Sequence, residues 1–434
     1  MCHGLDPAVR YRRPGRMDIL RHLLASSTDM NTVDLVVIGA GPAGAATAIR
    51  AARQGVRTVV FDRAPYGRDK VCGDGLTPRA VGALEDLGID LGACHPIEGL
   101  RMIAGKTERM LRWPETSRFP AHGAVVPRRK LDAALVDAAT EAGARVVWDT
   151  EALPVLEGDR AVGVEAGGHF WRAGMVVAAT GAPGAAARLL GATRVAGEPY
   201  GVAIRSYAAS PRHAERYIEA CLTMRDPDGN AVPGYGWIFP AGDGTVNIGA
   251  GSLSTMKHFS RLNLNSLLDS YHAGVRDSWA LGPYLERPRA WRLPMSSVRR
   301  HGPGWVAVGD AAGLVNPMNG EGIDYGLESG ILAADLFVED PVSAPERYDR
   351  VVGERFDAFL RTGRRFSLLI GHPAILNAGL RVAVGTQAIA RITLRVMGNL
   401  VDSETPGTAG RVLGATDRIL ALAEPLLRRT RARP

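Results

Sequence analysis

Residues 33–62, VDLVVIGAGPAGAATAIRAARQGVRTVVFD, decide the fold. Val33 to Ile38 is a continuous, β-branched run suited to a strand buried on both faces. Gly39-Ala-Gly41-Pro42-Ala43-Gly44 then opens an alanine-rich helix to about Gln54, and Gly55 stops it. A second apolar strand, Arg57 to Phe61, ends on Asp62, with Arg63 beside it. In a strand–GxGxxG–helix unit, unpaired backbone N–H groups and the positive end of the helix dipole face a diphosphate, and the acid ending the second strand takes ribose hydroxyls. GxGxxG alone also fits a merely glycine-rich turn. Strand, turn, helix, strand and acid in register make a dinucleotide site, with NAD and FAD both open.

Further along the chain, Leu76-Thr77-Pro78 supply a staple, a cap and an N1 proline for a helix to Gly88. Another helix spans Arg129 to Ala142, followed by a strand from Ala144 to Trp148. Short alternating segments over 155–180 read as a meander, and 195–300 as strands and turns with one helix near Leu262 to His272. A buried strand resumes at Trp305 to Val308, a helix follows from about Gly322 to Phe337, and the remainder reads as helical. A chain of 434 residues exceeds what one core sustains. The expectation is an α/β protein: a Rossmann-like domain from 30–95, 122–190 and 301–340, an inserted, mainly antiparallel substrate domain from 96–121 and 191–300, and a helical C-terminal region, 341–434. Residues 1–29 carry no signal-peptide pattern and are expected to be disordered or untranslated, with Met30 as the start.

Composition narrows the chemistry. With 46% hydrophobic and 22% charged residues the chain is globular, which excludes a disordered or fibrous protein. The net charge is +7, yet the first 340 residues are balanced and the last 94 hold 15 basic residues against 8 acidic. No basic reading surface with aromatic platforms is visible, so nucleic acid is set aside. Cys2, Cys72, Cys94 and Cys221 form no CxxC pair and fit a reducing cytoplasm. HExxH, GxSxG and a phosphate loop ending in GK[ST] are all missing, which argues against metal and serine-hydrolase chemistry. No uncharged apolar run reaches the roughly 18 residues of a spanning helix.

Gly309-Asp310, after a buried strand, favours a flavin, because a second carboxylate at a strand end can hold ribityl hydroxyls that a nicotinamide cofactor lacks. Asn316-Pro317-Met-Asn-Gly320-Glu321-Gly322-Ile323 follows and starts a helix whose free N–H groups can face the flavin edge where negative charge develops on reduction. A strand end and a glycine-rich cap are the plainer reading of that pair. Arg128, three residues before Leu131-Asp132, fits an arginine reaching the adenosine side of the cofactor, or a solvated charge at a helix start. Lys70-Val-Cys72-Gly73-Asp74-Gly75 lets backbone pass close to a flat group, with Cys72 at that face or simply buried as a small hydrophobe. Tyr235, Trp237 and Phe239, spaced by two in Pro233 to Pro240, form an aromatic stripe on one strand face, either a ligand wall or core. No second GxGxxG follows a strand, so a dedicated nicotinamide domain is absent.

Gly39 to Gly44, KVCGDGLTPRAV at 70–81, PGYGWIFPAGDGTVNIGAG at 233–251 and VGDAAGLVNPMNGEGIDYG at 308–326 together resemble the geranylgeranyl reductase family of FAD enzymes. Within that family the chain looks most like actinobacterial menaquinone reductases, which hydrogenate one isoprene unit of the quinone tail. The likeness runs from about Val33 to Val401. It implies a p-hydroxybenzoate hydroxylase-like FAD-binding fold, FAD held by the positions named above, and a lipid channel lined by Tyr235, Trp237, Phe239 and Pro240. It also makes Cys72 a flavin neighbour. One departure is Thr180-Gly181, where many relatives carry Asp-Gly, which puts a flavin contact there in doubt.

An isoprene double bond has no carbonyl to polarise it. The expected chemistry is hydride delivery from reduced flavin with protonation that leaves developing positive charge on the more substituted carbon, facing Trp237 and Tyr235. Cys72, Tyr235 or water is the proton donor, and the electron donor is unknown. The alternatives are an aromatic monooxygenase or halogenase of the same fold, a reductase of geranylgeranyl diphosphate or another geranylgeranyl lipid, and a flavin-bearing lipid-binding protein without turnover. The charge excess bears on this choice. Between Asp357 and Asp402 there is no acid, and Arg381, Arg391 and Arg395 share an arc of roughly 80° if that segment is one helix. Such a stripe reads as a helix lying on the inner face of the cell membrane, or as an ordinary helical cap with a solvated face.

Overall fold

The computed structural model describes residues 31–92, 94–182, 184–296, 298–401 and 407–431. The expectations for residues 1–29 and Met30 lie outside the described residues. An eight-stranded sheet carries the dinucleotide motif. Its main path runs His301–Gly302, Trp305–Ala307, His169–Ala178, Thr32–Ile38, Thr58–Phe61 and Arg145–Val147, and Ala152–Glu157 and Arg160–Ala166 extend it from His169–Ala178. Thr32–Ile38 pairs in parallel with both neighbours and is buried along its whole length, which explains its mostly apolar residues, while buried Asp34 is paired with Arg57 at 2.8 Å.

A seven-stranded sheet takes the order Arg289–Leu293, Gly201–Ala209, Thr245–Leu253, Gly234–Pro240, Tyr217–Cys221, Gly99–Ala104 and Thr107–Arg112. Its pairs are antiparallel except Tyr217–Cys221 with Gly99–Ala104. The helix on this sheet, Leu264–Trp279, is longer than its sequence pattern indicates, because Trp279 closes the second core beside Leu267, Leu268 and Tyr271. A short three-stranded sheet, Gly75–Leu76, Gly123–Val125 and His95–Ile97, carries the end of the 70–75 loop.

The helices Pro42–Arg53 and Ile323–Glu339 cross closely because a glycine sits at the contact: a Cβ on Gly330 would stand 2.3 Å from Ala43 O. Two local expectations are corrected. Thr77 is the N-cap residue of Pro78–Asp86, but its hydroxyl makes no cap and donates instead to Glu321. The stretch holding Arg381, Arg391 and Arg395 is two helices, Pro373–Ala383 and Gln387–Met397, so the three arginines do not form one helical stripe. The turn at Val384 to Thr386 breaks the period, and buried Val384 anchors it.

Candidate functional site

One cavity of about 1850 Å³ joins the dinucleotide signature to the aromatic strand. Ligand sites for one small molecule run from roughly 300 to 1,000 Å³, so this volume suits a cofactor and a second large ligand together.

At the dinucleotide end, Gly39, Gly41, Pro42, Ala43, Asp62 and Arg63 line the wall. Gly39 has φ +108°, and a Cβ there would meet Ala179 O at 2.4 Å. Gly44 lies behind the wall, where a Cβ would strike Gly39 O, so its part is helix–strand packing. No side chain caps Pro42–Arg53, which leaves its first N–H groups to a ligand. Asp62 is oriented by Ala40 N (2.8 Å) and Ala64 N (2.9 Å). Thr180 and Gly181 also line the cavity, and the Thr180 hydroxyl is buried without a partner. That orphaned group and the glycine cradle fit a dinucleotide, and they restore residues 180–181 to the ligand surface despite the missing aspartate.

The loop at 70–75 and the turn at 309–323 meet in the middle of the cavity. Cys72, Gly73, Asp74, Gly75, Arg128, Gly309, Asp310, Pro317, Gly320, Glu321, Gly322 and Ile323 all line it. Arg128 is buried and forms a two-pronged pair with Asp132 at 2.8 and 2.9 Å. Burial pushes the Cys72 thiol up, with Arg128 opposing, so the sulfur holds its proton at neutral pH. Asp310 is raised by burial against the pull of Lys70 and Arg128. Lys70, its ammonium over the Trp291 ring, is lowered by burial to about 8. Glu321 is raised by burial to about 7 while accepting from Thr77 Oγ1 at 2.6 Å.

The aromatic stripe is a wall. Tyr235 and Trp237 have ring centroids 5.8 Å apart, and Trp237 and Phe239 6.2 Å. All three line the cavity, and a Cβ on Gly75 would stand 2.9 Å from Phe239, so the loop glycines admit the rings. Pro240 is corrected: it is buried on the opposite strand face and does not line the cavity, because strand side chains alternate. Beyond the wall the lining is apolar, through Leu100, Met102 and Ile218 to Leu376, Ile389 and Val396 on the C-terminal helices.

Sequence reading missed two supporting residues. Tyr207 donates to Asp74, and Asn247 donates to Asp74 Oδ2 at 2.8 Å while accepting from Trp237 Nε1 at 2.9 Å. An amide between Val246 and Ile248 in a strand interior is a signal in itself, since asparagine is poorly suited to strands. Tyr207 has no comparable signal, because only the sheet brings it to Asp74.

The fold and the cavity define an FAD-dependent oxidoreductase, and residues 32–259 match the family model described as FAD binding domain. A menaquinone reductase of Mycolicibacterium smegmatis is 41% identical over 398 residues, 88% of this chain and 96% of that protein. The digeranylgeranylglycerophospholipid reductase of Thermoplasma volcanium is 29% identical over 353 residues, 76% of this chain and 85% of that one. A geranylgeranyl bacteriochlorophyll reductase-like protein of Thermoplasma acidophilum shares the fold with a TM-score of 0.74 at 24% identity, over 89% of this chain and 100% of the other. The chain belongs to the geranylgeranyl reductase family of FAD-dependent oxidoreductases.

Proposed function

We propose that the protein saturates one isoprene double bond of a prenyl lipid, the side chain of menaquinone, at the inner face of the cell membrane. The observation that carries this reading is the continuity of the cavity, from the dinucleotide signature past Trp237 to an apolar branch. An extended hydrocarbon chain fits such a branch, and a compact aromatic substrate does not need it.

FAD, when bound and reduced, supplies the hydride. The residues do the rest. The apolar branch takes the lipid tail out of water and holds it by contact area. Trp237 and Tyr235 offer ring faces to the positive charge that develops when an alkene carbon is protonated. Cys72 keeps its proton through burial and is the donor, carried on the cavity-lining 70–75 loop whose glycines pack against Phe239. Tyr235 is committed elsewhere, since its hydroxyl donates to Asn319 O, and burial raises its pKa.

Membrane attachment is part of the proposal. Among the described residues no single helix is long and apolar enough to cross a membrane. Val382 and Ile389 line the cavity and are also 63% and 37% exposed, so the branch reaches the surface there. Arg381, Arg391 and Arg395 are exposed on the same two helices and supply basic charge for an anionic surface.

Anaerobic incubation of the holoenzyme with dithionite and menaquinone tests the reading by mass spectrometry. Addition of two hydrogens to menaquinone is the expected result. Product only from a geranylgeranyl lipid would reassign the substrate, and substrate loss only with oxygen and a nicotinamide cofactor would overturn the reductase.

A further inference from the structure

Asn247 is fully buried as the third residue of Thr245–Leu253, paired with Phe239 on one side and Tyr207 on the other. A buried amide is costly unless its donors and acceptor are satisfied. Here all are: Oδ1 accepts from Trp237 Nε1 at 2.9 Å, and Nδ2 donates to Cys72 O at 2.9 Å and Asp74 Oδ2 at 2.8 Å. The reversed amide would set donors against the indole N–H and an acceptor against two acceptors, so one orientation is allowed.

Trp237 is held to that partner by its neighbour across the ladder. It pairs with Gly249, and a Cβ on Gly249 would lie 2.0 Å from the indole ring. The missing side chain lets the indole lie along the strand toward Asn247. Asp74 is also constrained. It has φ 66°, unfavourable for a residue with a side chain, and is kept there by Asn247, Tyr207 and the N–H of Arg128. Asn247 itself does not line the cavity.

We propose that Asn247 is a positioning residue: it clamps the Trp237 indole to the Cys72–Asp74 loop, so that the ring face and the thiol meet the alkene in one geometry. The inference rests on the prenyl-lipid reductase reading above. Its consequence is that Asn247 governs the rate of the lipid step without touching the lipid.

The test uses Asn247→Leu, close in size and without polar atoms, in the parent holoenzyme and in a Trp237→Phe background. Asn247→Leu is expected to retain FAD and to be reduced by dithionite at the parental rate. Its kcat for menaquinone should fall about tenfold with KM within about twofold, since misplaced groups cost the chemical step. In the Trp237→Phe background, where no indole N–H exists, the share of that loss carried by the indole should vanish and only the share from the two loop bonds should remain. Equal losses in both backgrounds, or a parental kcat, would overturn the proposal. Should Asn247→Leu lose FAD or fail to fold, Gly249→Ala, which displaces the indole but keeps the amide, takes its place: a similar kcat loss supports the clamp and a parental kcat refutes it. Thermal unfolding separates this from failure of the reductase reading. A Tm difference between parent and Asn247→Leu that shrinks in the Trp237→Phe background, in a protein that reduces no prenyl lipid, would keep the clamp and overturn the substrate.

Discussion

The Thr77 hydroxyl donates to Glu321 Oε1 across 2.6 Å, joining the start of the helix Pro78–Asp86 to the turn before Ile323. Burial raises that carboxyl from its ordinary 4.5 to about 7. Between those values the folded protein keeps a proton that the unfolded chain has lost, so stability falls as pH rises toward about 7 and is fullest below about 4.5. Glu321→Gln keeps the acceptor for Thr77 and removes the titration. A plot of Tm against pH should therefore be flatter for the variant, with residual slope from Asp324, which burial and Glu321 also push up. Parallel plots would show that Glu321 does not titrate in this window.

Trp237→Ala should slow single-turnover lipid reduction by about thirtyfold, the equivalent of the ~2 kcal/mol of a desolvated ring–cation contact. Trp237→Phe should lose less, since a ring face remains. Parental rates for both would remove the wall from the chemistry.

Gly39→Ala places a Cβ against Ala179 O at a backbone angle, φ +108°, that side chains avoid. A cost of about 2–3 kcal/mol is expected in denaturant unfolding. FAD retention should drop with it, measured by flavin absorbance after gel filtration. Gly55→Ala, where nothing stands within 4 Å, should pay only the φ +78° strain and keep FAD.

Reversing Arg381, Arg391 and Arg395 to glutamate should weaken binding to anionic vesicles by about a hundredfold at low salt, at about 1 kcal/mol per basic residue near the surface. Binding to neutral vesicles should change little, and unchanged binding to anionic ones would refute membrane docking through these arginines.

Much of the site was legible because local patterns encode it. The burial and parallel pairing of Thr32–Ile38 show as the apolar stretch Leu35 to Ile38, and Gly39 reads as glycine because no other residue fits beside Ala179. The spacing of Tyr235, Trp237 and Phe239 already places them together, since alternation belongs to every strand. The same alternation excludes Pro240, which family likeness had carried into the channel.

What sequence alone determined is therefore the dinucleotide motif, the glycine-rich turns at 70–75 and 309–323 and the aromatic stripe, each built from residues within a few positions of one another. Tertiary structure decided the contacts made at long separation. Thr77 looks like a helix cap until Glu321, 244 residues away, takes its hydroxyl. Asn247 and Tyr207 reach Asp74 across 173 and 133 residues, through sheet register that no local period records. The continuous cavity, and the break that separates Arg381 from Arg391, likewise arise from packing, which depends on partners brought together only when the chain has folded.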